Sequence, residues 1–208
     1  MRIAIIGTGN MGKGFANLLA GLHHEIFIGH RDPAKAATLA AELSHGIQGG
    51  GIAAAVSMAD MVLLAVPYAA VADVIWQAGN LDGKILLDLT NPITADFQDL
   101  QIGHTTSAAE EIQRLAPSAL VVKAFNTIFA QLLPREARPN QPLQVLIAAD
   151  DDDAKACVSA LAETVGFTSI NAGGLRNSRF IEPIGEMNIH FGYFLGWGTV
   201  AAPNWVKA

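Results

Sequence analysis

Short apolar runs alternate with amphipathic segments along most of the chain. The runs have the length and composition of strands that are buried on both faces of a sheet. Between them, apolar residues recur at helical spacing, as at Phe15, Leu18, Leu19 and Leu22. This alternation predicts an α/β fold with a mostly parallel sheet and helices on both of its faces. The predicted strands are residues 2–6, 24–29, 46–50, 60–66, 84–90, 121–125 and 143–149, and the later helices cover 68–78, 107–116 and a segment ending at 165.

The first predicted strand runs directly into a glycine-rich turn. The turn consists of Gly7, Thr8, Gly9, Asn10, Met11 and Gly12. Gly7 permits the tight turn, Gly9 lets backbone amides approach a pyrophosphate, and Gly12 lets the next helix pack close to the strand. The amides of Asn10, Met11 and Gly12 would then face the phosphates at the positive end of a helix dipole. This order predicts a Rossmann-type, doubly wound dinucleotide fold, with a glycine turn in an unrelated α/β protein as the alternative.

The end of the second strand indicates which dinucleotide is bound. Enzymes that select NAD place an acidic residue there for the ribose hydroxyls. Asp32 is nearby, but it precedes Pro33, and this pair is typical of a helix start that the carboxylate caps. Arg31 lies just before that helix and Lys35 in its first turn, so both can reach a phosphate there. We therefore predict NADP(H), with His30 as a further phosphate or adenine contact and two solvated surface cations as the alternative.

Three of the predicted strands end in loops that contain proline or neutral polar residues. Ligands of such sheets bind beyond the carboxyl ends of the strands, so the three loops should share one rim. Asparagine and threonine offer the neutral hydrogen bonds that a carboxamide uses, which suits a nicotinamide. Turn chemistry is the better explanation of any one loop alone, but three together favour a ligand site. The loops are Val66-Pro67-Tyr68, Leu89-Thr90-Asn91-Pro92 and Ala124-Phe125-Asn126-Thr127.

The composition narrows the class of protein. The 208 residues suggest one domain with a small C-terminal helical appendage, and the net charge of −6 argues against nucleic acid or an anionic membrane as a partner. The single cysteine, Cys157, excludes an intramolecular disulfide, and no cysteine or histidine cluster indicates a metal site. The acidic run Asp150–Asp153 is expected to cap a helix rather than to bind a metal.

The two ends of the chain indicate whether the protein is exported or inserted into a membrane. Met1 and Arg2 run straight into the first strand, so we expect no export signal and a cytoplasmic protein. The apolar run from Ile181 to Val206 is interrupted by charged and polar residues and falls short of the roughly 20 apolar residues of a spanning helix. We therefore expect no membrane insertion.

These motifs resemble those of the NADPH-dependent coenzyme F420 reductases, also called F420H2:NADP oxidoreductases. The chain is also similar to the cytosolic reductase domain of the six-transmembrane metalloreductases, especially over residues 121–126. It departs from the archaeal pattern in having one glycine before Thr8 instead of two, and over Tyr193 to Lys207. The segments that carry the resemblance are Thr8-Gly9-Asn10, Gly29-His30-Arg31 with Lys35, Val66-Pro67-Tyr68, Lys123 to Ile128, and Asn171 to Arg179.

The resemblance implies where the two cofactors lie. In the family, the deazaflavin lies against the nicotinamide in a cleft that the C-terminal segment closes. We therefore expect an NADP-binding domain over residues 1–175 and a helical closing segment over residues 176–208. The positions that match the family's NADP contacts are Thr8 to Met11, His30, Arg31, Lys35, Tyr68, Asn91 and Ala130.

The predicted function is hydride transfer between NADP(H) and a second planar cofactor, with a 5-deazaflavin (coenzyme F420) as first choice. Exchange between two stacked rings needs chiefly their placement, so we predict no catalytic acid or base. Lys123 with Asn126 is the alternative pair, although Lys123 lies within a strand. The rival functions are an NADPH-dependent flavin or ferric reductase and a non-enzymatic NADP(H) sensor.

An aromatic cluster near the C-terminus suggests an interface. Tyr193, Phe194 and Trp197 lie close together in the sequence, and such a cluster is costly to leave in water. We expect these residues to pack against a second subunit or over the cofactor cleft, and the protein to be a homodimer.

Overall fold

The computed structural model describes residues 1–138 and 142–206, and within them eight strands form one sheet. The strands are β1 (Arg2–Ile6), β2 (Glu25–Gly29), β3 (Gln48–Gly50), β4 (Met61–Leu64), β5 (Ile85–Asp88), β6 (Leu120–Lys123), β7 (Gln144–Ala149) and β8 (Thr168–Asn171). The helices are α1 (Asn10–Leu19), α2 (Pro33–Leu43), α3 (Ile52–Ser57), α4 (Val71–Ala78), α5 (Ala108–Leu115), α6 (Asp152–Thr164) and α7 (Ser178–Ile189). Single 3₁₀ turns lie at Tyr68–Ala70, Ala130–Leu132, Arg135–Ala137 and Leu175–Asn177, and a π-helical turn lies at His190–Phe194.

The chain winds outward from the middle of the sheet in two directions. The strand order is β3-β2-β1-β4-β5-β6-β7-β8. β1 pairs in parallel with β2 on one side, where Ile3 lies opposite Ile26, and with β4 on the other, where Ile3 lies opposite Met61. The order therefore reverses between β1 and β4, which is the point where doubly wound sheets bind ligands. The predicted Rossmann-type, mostly parallel fold with a C-terminal helical part is confirmed.

Both faces of the sheet are covered by helices. Successive strand residues point to opposite faces, so Ile3 and Ile5 pack in one core cluster with Phe15 of α1, while Ala4 and Ile6 pack in the other. Because neither face meets water, each central strand is a continuous apolar run. This explains why the strand positions could be predicted from runs of apolar residues rather than from an alternation of apolar and polar residues.

The far end of the sheet differs from the prediction. β7 pairs antiparallel with β6, because the described part of the connection between them contains 3₁₀ turns instead of a crossover helix. β8 pairs in parallel with β7 and was not predicted, since its residues Thr168–Asn171 form a short and largely polar edge strand. The helix predicted over 68–78 begins as a 3₁₀ turn, in which Ala70 N donates to Pro67 O, and becomes α4 only at Val71.

Three predicted helix starts carry the expected side-chain caps. Each side-chain oxygen accepts a hydrogen bond from a first-turn amide, as N-caps do. The pairs are Asp32 with Ala34 N at 3.1 Å, Ser107 with Glu110 N at 3.2 Å, and Asp151 with Ala154 N at 2.8 Å. Asp150, the first residue of the acidic run Asp150–Asp153, does not cap α6. Its carboxylate accepts a hydrogen bond from Leu175 N at 2.8 Å and anchors the turn before α7.

α7 leads into an irregular C-terminal stretch. Pro183 lies inside α7, and the helix passes at His190 into the π-helical turn. Further on, Trp205 exchanges two hydrogen bonds with Gln144 at the start of β7, at 2.7 and 2.8 Å. Over the described ranges, no helix combines the length and the hydropathy that crossing a membrane requires.

Candidate active site

The glycine turn between β1 and α1 is crowded at two of its three glycines. Gly7 has a φ of 118°, and a Cβ added there would overlap the carbonyl oxygen of Ala65. A Cβ on Gly12 would overlap the carbonyl oxygen of Gly7. Around Gly9, in contrast, no atom of the described residues lies within 4 Å of an added Cβ. Gly7 and Gly12 therefore serve the close packing of the turn, whereas Gly9 leaves the start of α1 open.

The start of α1 offers backbone donors without a side-chain cap. Gly9 is the N-cap residue, and no side chain in the described part of the chain caps it. The first N–H groups of a helix have no intrahelical partner and form the positive end of its dipole. Thr8 and Asn10 flank these donors, the former half-buried and the latter exposed. Such a turn is suited to binding an anion, and a pyrophosphate in particular.

The start of α2 gathers two cations and a histidine. The carboxylate of Asp32 is used as the cap of α2, and its backbone N–H donates to His30 Nδ1 at 3.0 Å. In the neutral ring, that bond leaves Nε2 as the donor. Arg31 and Lys35 are exposed, and Lys35 lines a shallow depression together with Thr8. The end of β2 therefore presents positive charge, while the acid in this turn is already engaged.

The carboxyl ends of β5 and β6 bring two asparagines into contact. Asn126 Nδ2 donates to Asn91 Oδ1 at 2.9 Å, and Asn91 Nδ2 donates to the carbonyl of Asn126 at 2.8 Å. Asn126 Oδ1 is buried, and no donor among residues 1–138 and 142–206 reaches it. A buried acceptor without a partner costs about 1–3 kcal/mol, so a ligand N–H group at this point would be stabilising.

A strained residue turns the chain toward the cleft at the end of β6. Phe125 has a φ of 60°, in the left-handed region, which costs roughly 1–2 kcal/mol for a side chain with a Cβ. Its fully buried ring packs edge-to-face against Phe15, with centroids 5.1 Å apart, and against Phe167 at 5.5 Å. This packing holds the unusual backbone in place, and the chain from Phe125 to Gln131 then lines the cleft.

The cleft has a volume of about 230 Å³ and is bounded by the glycine turn, the strand ends and α7. α7 approaches closely because of Gly185, where an added Cβ would lie 2.5 Å from Asn91 Oδ1 and 2.8 Å from Asn126 Nδ2. Tyr193 provides the one titratable side chain of the described lining. That lining consists of Asn10, Met11, Leu89, Asn91, Phe97, Phe125, Asn126, Thr127, Ile128, Phe129, Ala130, Gln131, Gly185, Asn188, Ile189 and Tyr193.

The predicted cofactor residues fall into three groups. Asn10, Met11, Asn91, Asn126 and Ala130 line the cleft. Thr8, Lys35 and their neighbours His30 and Arg31 lie at the glycine turn and at the start of α2. The loop after β4 lies outside the described lining. There Pro67 is exposed, whereas Val66 and Tyr68 are half-buried against the core cluster on the α3 and α4 side.

Lys123 belongs to a buried ion cluster. Its side chain is 0% exposed, and Nζ donates to Asp88 Oδ2 at 2.8 Å and to the carbonyl of Thr90 at 2.5 Å. Nζ also lies 2.9 Å from Glu182 Oε1. All three ammonium protons have acceptors in the core, so the alternative pairing of Lys123 with Asn126 in catalysis finds no support in the geometry.

Glu182 ties α7 to α5 as well as to β6. Its carboxylate accepts from the amides of Ala108 and Ala109 at the start of α5, at 2.9 and 3.2 Å. Burial raises the pKa of Glu182, and Lys123 partly opposes that rise. Burial alone would lower the pKa of Lys123, but Asp88 and Glu182 raise it above its ordinary value. This cluster was not predicted from the sequence, although lone charges inside apolar runs are a signal for buried ion pairs.

A second buried carboxylate lies one turn further along α7. Glu186 Oε1 is 3.2 Å from His190 Nε2, yet neither carboxylate oxygen accepts a hydrogen bond from the described residues. Burial raises the pKa of Glu186, and His190 counteracts part of the rise. Glu186 therefore favours its protonated form more than an exposed glutamate does.

Comparison with known proteins gives consistent matches. The family model described as NADP oxidoreductase coenzyme F420-dependent matches residues 2–92. F420-dependent NADP reductase of Methanothermobacter marburgensis is 34% identical over 209 residues, covering 91% of this chain and 92% of the relative. Metalloreductase STEAP3 of Rattus norvegicus is 33% identical over 88% of this chain, which spans only 36% of that protein. The crystal structure of a candidate F420-dependent NADP reductase from Arthrobacter sp. FB24 superimposes with a TM-score of 0.85 at 32% identity, covering 94% of this chain and 95% of the other.

Proposed function

Because the chain belongs to the family of coenzyme F420-dependent NADP oxidoreductases, we propose that it transfers a hydride between NADP(H) and a 5-deazaflavin of the F420 type. The protein is an NADP-dependent oxidoreductase. One observation carries the choice of a planar partner: the described lining of the cleft holds no carboxylate, imidazole, ammonium or thiol, and its one titratable group, the phenol of Tyr193, belongs to a residue that is 60% exposed. Reducing a carbonyl group uses a proton donor beside the reacting atoms, whereas exchange between two stacked rings needs mainly correct placement.

We assign the pyrophosphate of NADP to the glycine turn. Gly7 shapes the turn, Gly9 leaves it open to an approaching phosphate, and Thr8 offers a hydroxyl beside it. The amides of Asn10 and Met11 belong to the uncapped first turn of α1, where an anion is stabilised by N–H groups and by the helix dipole.

We assign the 2′-phosphate to the start of α2. Arg31 and Lys35 are the exposed cations there, and His30 can donate through Nε2. The carboxylate that could accept from the ribose hydroxyls of NAD(H) is that of Asp32, and it accepts from the amide of Ala34 instead. The arrangement therefore favours NADP(H) over NAD(H).

We assign the nicotinamide to the asparagine pair. Asn126 Oδ1 can accept from the carboxamide N–H, and two hydrogen bonds to Asn91 hold Asn126 in position. Ala130 lines the same cleft. When bound, NADPH supplies the hydride, which a deazaflavin takes up together with a proton from water. The neighbouring loop of Val66, Pro67 and Tyr68 follows β4 at the same edge of the sheet, and we assign it to further contacts with the cofactor.

The C-terminal part is proposed to close the cleft. We divide the chain into a cofactor-binding domain, residues 1–175, and a closing segment, residues 176–208. This division is supported by Gly185 and Tyr193, which contribute to the cleft lining. The exposure of Phe194 and Trp197, 45% and 61% in the single chain, supports a homodimer that covers them. A cytoplasmic location remains our prediction from the sequence.

The cofactor preference can be tested by replacing one cation. Arg31→Ala should weaken NADP+ binding about ten- to a hundredfold, because a charged hydrogen bond is worth roughly 1.5–3 kcal/mol. NAD+ binding should hardly change. Arg176→Ala is the matched control, since Arg176 is exposed in the turn after β8, at the opposite end of the sheet. Titration calorimetry gives both affinities, and an equal loss for NADP+ and NAD+ would contradict the assignment.

The hydride partner can be tested with a panel of acceptors. The enzyme with NADPH should reduce an oxidised 5-deazaflavin faster than free flavin or a ferric chelate, as absorbance will show. An NADPH-dependent flavin or ferric reductase is the second candidate, favoured by the 33% identity to metalloreductase STEAP3 over 88% of the chain. Faster reduction of flavin or ferric chelate would select that candidate. Tight NADPH binding without turnover of any acceptor would instead select the NADP(H) sensor.

A further inference from the structure

Two backbone irregularities place exposed aromatic rings at the mouth of the cleft. Phe97, in the loop between β5 and α5, has a φ of 61° in the left-handed region. Tyr193 lies in the π-helical turn that follows α7. The two ring centroids are 6.3 Å apart, and both residues line the cleft. Strained backbone and π-turns are both found preferentially at functional sites, which makes their coincidence here informative.

The strained backbone at Phe97 is held by bonds within its own loop. Thr94 N donates to Asp99 O at 2.8 Å, and Phe97 N donates to Thr94 O at 3.0 Å. The hydroxyl of Thr94 donates to Asp96 Oδ1 at 2.5 Å. This closed turn keeps a large ring 47% exposed in a conformation that glycine would adopt without strain. The phenylalanine ring at this position therefore indicates a function in binding, because stability alone would favour glycine there.

Tyr193 packs against neighbouring rings and is still largely exposed. Its ring packs edge-to-face on Phe129, with centroids 5.9 Å apart, and Phe129 also lines the cleft. The residue is nevertheless 60% exposed. Phe97 is its other ring neighbour, and the part of the Tyr193 ring that stays exposed is available for contact with another flat ring.

The geometry points to Phe97 and Tyr193 as an aromatic clamp, a pair of adjacent rings whose exposed surfaces together bind one side of the ring system of the hydride acceptor, a planar aromatic heterocycle. This inference rests on the proposed function and deepens it, since it names the side chains that select a flat acceptor over a metal chelate. The cleft, at about 230 Å³, is smaller than the roughly 300–1,000 Å³ of pockets that enclose a whole ligand. A tricyclic ring would therefore extend to the mouth, where the clamp provides contact area without charge.

Binding measurements on matched variants test the clamp. Phe97→Gly removes the ring at a φ that glycine adopts freely, and Tyr193→Ala removes the second ring. Phe97→Tyr and Tyr193→Phe keep a ring at each position, and Phe180→Ala removes an exposed ring of α7 that lies outside the described lining. The probes are 5-deazariboflavin and riboflavin, followed by their own fluorescence. The protein is saturated with NADP+, so that no hydride is available.

Phe97→Gly and Tyr193→Ala should each weaken binding of the ring probe about tenfold, as expected for one lost aromatic contact. The two conservative variants and Phe180→Ala should bind within about twofold of wild type. NADP+ affinity should be unchanged in all five variants, and the melting temperature of Phe97→Gly should stay within about 3 °C of wild type.

The possible outcomes separate the clamp from the proposed function. Clamp-dependent binding of riboflavin without binding of the deazaflavin would support the clamp and reject the deazaflavin as partner. Wild-type affinity in both Phe97→Gly and Tyr193→Ala would overturn the clamp and leave the proposed function standing. A Tyr193→Ala variant that becomes monomeric but keeps wild-type affinity for the ring probe would also overturn the clamp, because the ring would then belong to a subunit interface. Binding of neither probe by the wild-type protein would overturn both.

Discussion

Replacing Lys123 by methionine should destabilise the protein strongly. In the wild type, Nζ contacts Asp88 Oδ2 at 2.8 Å, Glu182 Oε1 at 2.9 Å and the carbonyl of Thr90 at 2.5 Å, all in the core. In the variant, two carboxylates share the core without a cation, and the carbonyl loses its donor. Breaking a buried ion pair in this way costs about 3–5 kcal/mol, out of a typical total of about 5–15 kcal/mol. For a chain of this size, the melting temperature should fall by roughly 6–20 °C.

The loss should depend on pH in a defined direction. Burial already raises the pKa of Glu182 above the value of an exposed glutamate, and Lys123 holds that rise back. Without the lysine, the folded-state pKa of Glu182 rises further above its unfolded value. The protonated form is then favoured by folding, so stability is greatest below the unfolded pKa, near 4.5, and falls as the pH rises through the folded pKa. Lys123→Met should therefore be closer to wild type at pH 5 than at pH 8.

Urea unfolding followed by circular dichroism at several pH values measures the effect. Lys13→Met is the control, because Lys13 and Glu42 form a surface pair at 3.5 Å with both side chains more than half exposed, which is worth about 1 kcal/mol or less. Adding Glu182→Gln to Lys123→Met should recover part of the loss, since the two sites are coupled. If Lys123→Met unfolds within about 1 kcal/mol of wild type at pH 8, the ion cluster does not stabilise the fold as argued.

Three further predictions concern the glycine turn, the second buried carboxylate and the C-terminal stretch. Gly9→Ala should fold normally yet lose NADP+ affinity, because an added Cβ at Gly9 meets open space. Gly12→Ala should lower the melting temperature, because an added Cβ at Gly12 meets a carbonyl oxygen. Similar melting temperatures of the two variants would contradict these separate roles of the two glycines. Glu186→Gln should raise the free energy of unfolding at pH 8 and lose that gain toward pH 4–5. The reason is that burial raises the pKa of Glu186, so the wild type regains stability when this carboxylate is protonated. A stability gain that grows on acidification would contradict this prediction. Truncation after Gly192 should reduce the apparent mass in sedimentation or weaken binding to the cleft, and a variant unchanged in both would refute each role of the aromatic cluster.

Much of the fold could be predicted because its signals are local. β1 is an apolar run followed by glycines, and the caps at Asp32 and Ser107 are residue types with strong positional preference. β8 could not be predicted in the same way, because its residues Thr168–Asn171 pair through their backbone, while three of the four side chains are polar and all four residues are partly exposed. Its position depends on β7, which only the assembled sheet supplies.

Only part of the candidate site could be predicted from the sequence. Asn91 and Asn126 were singled out because both follow strands, and parallel strand ends meet at one edge. The partners of Lys123 were missed, since pairing across β5, β6 and α7 is a tertiary contact with no fixed spacing in the sequence. Phe97 was missed for a related reason: its left-handed backbone comes from hydrogen bonds in the loop, and its residue type gives no hint of it.

Direct hydride transfer between NADPH and a planar acceptor in the cleft can be followed with an isotope label. The most direct test mixes the enzyme, in ordinary water, with oxidised 5-deazaflavin and NADPH that carries deuterium at both positions of the nicotinamide C4. The absorbance of the deazaflavin reports its reduction, and mass spectrometry locates the label. We predict that one deuterium appears on carbon in the reduced deazaflavin for each NADPH oxidised. Deazaflavin that stays oxidised, or label that appears in water, would contradict direct hydride transfer.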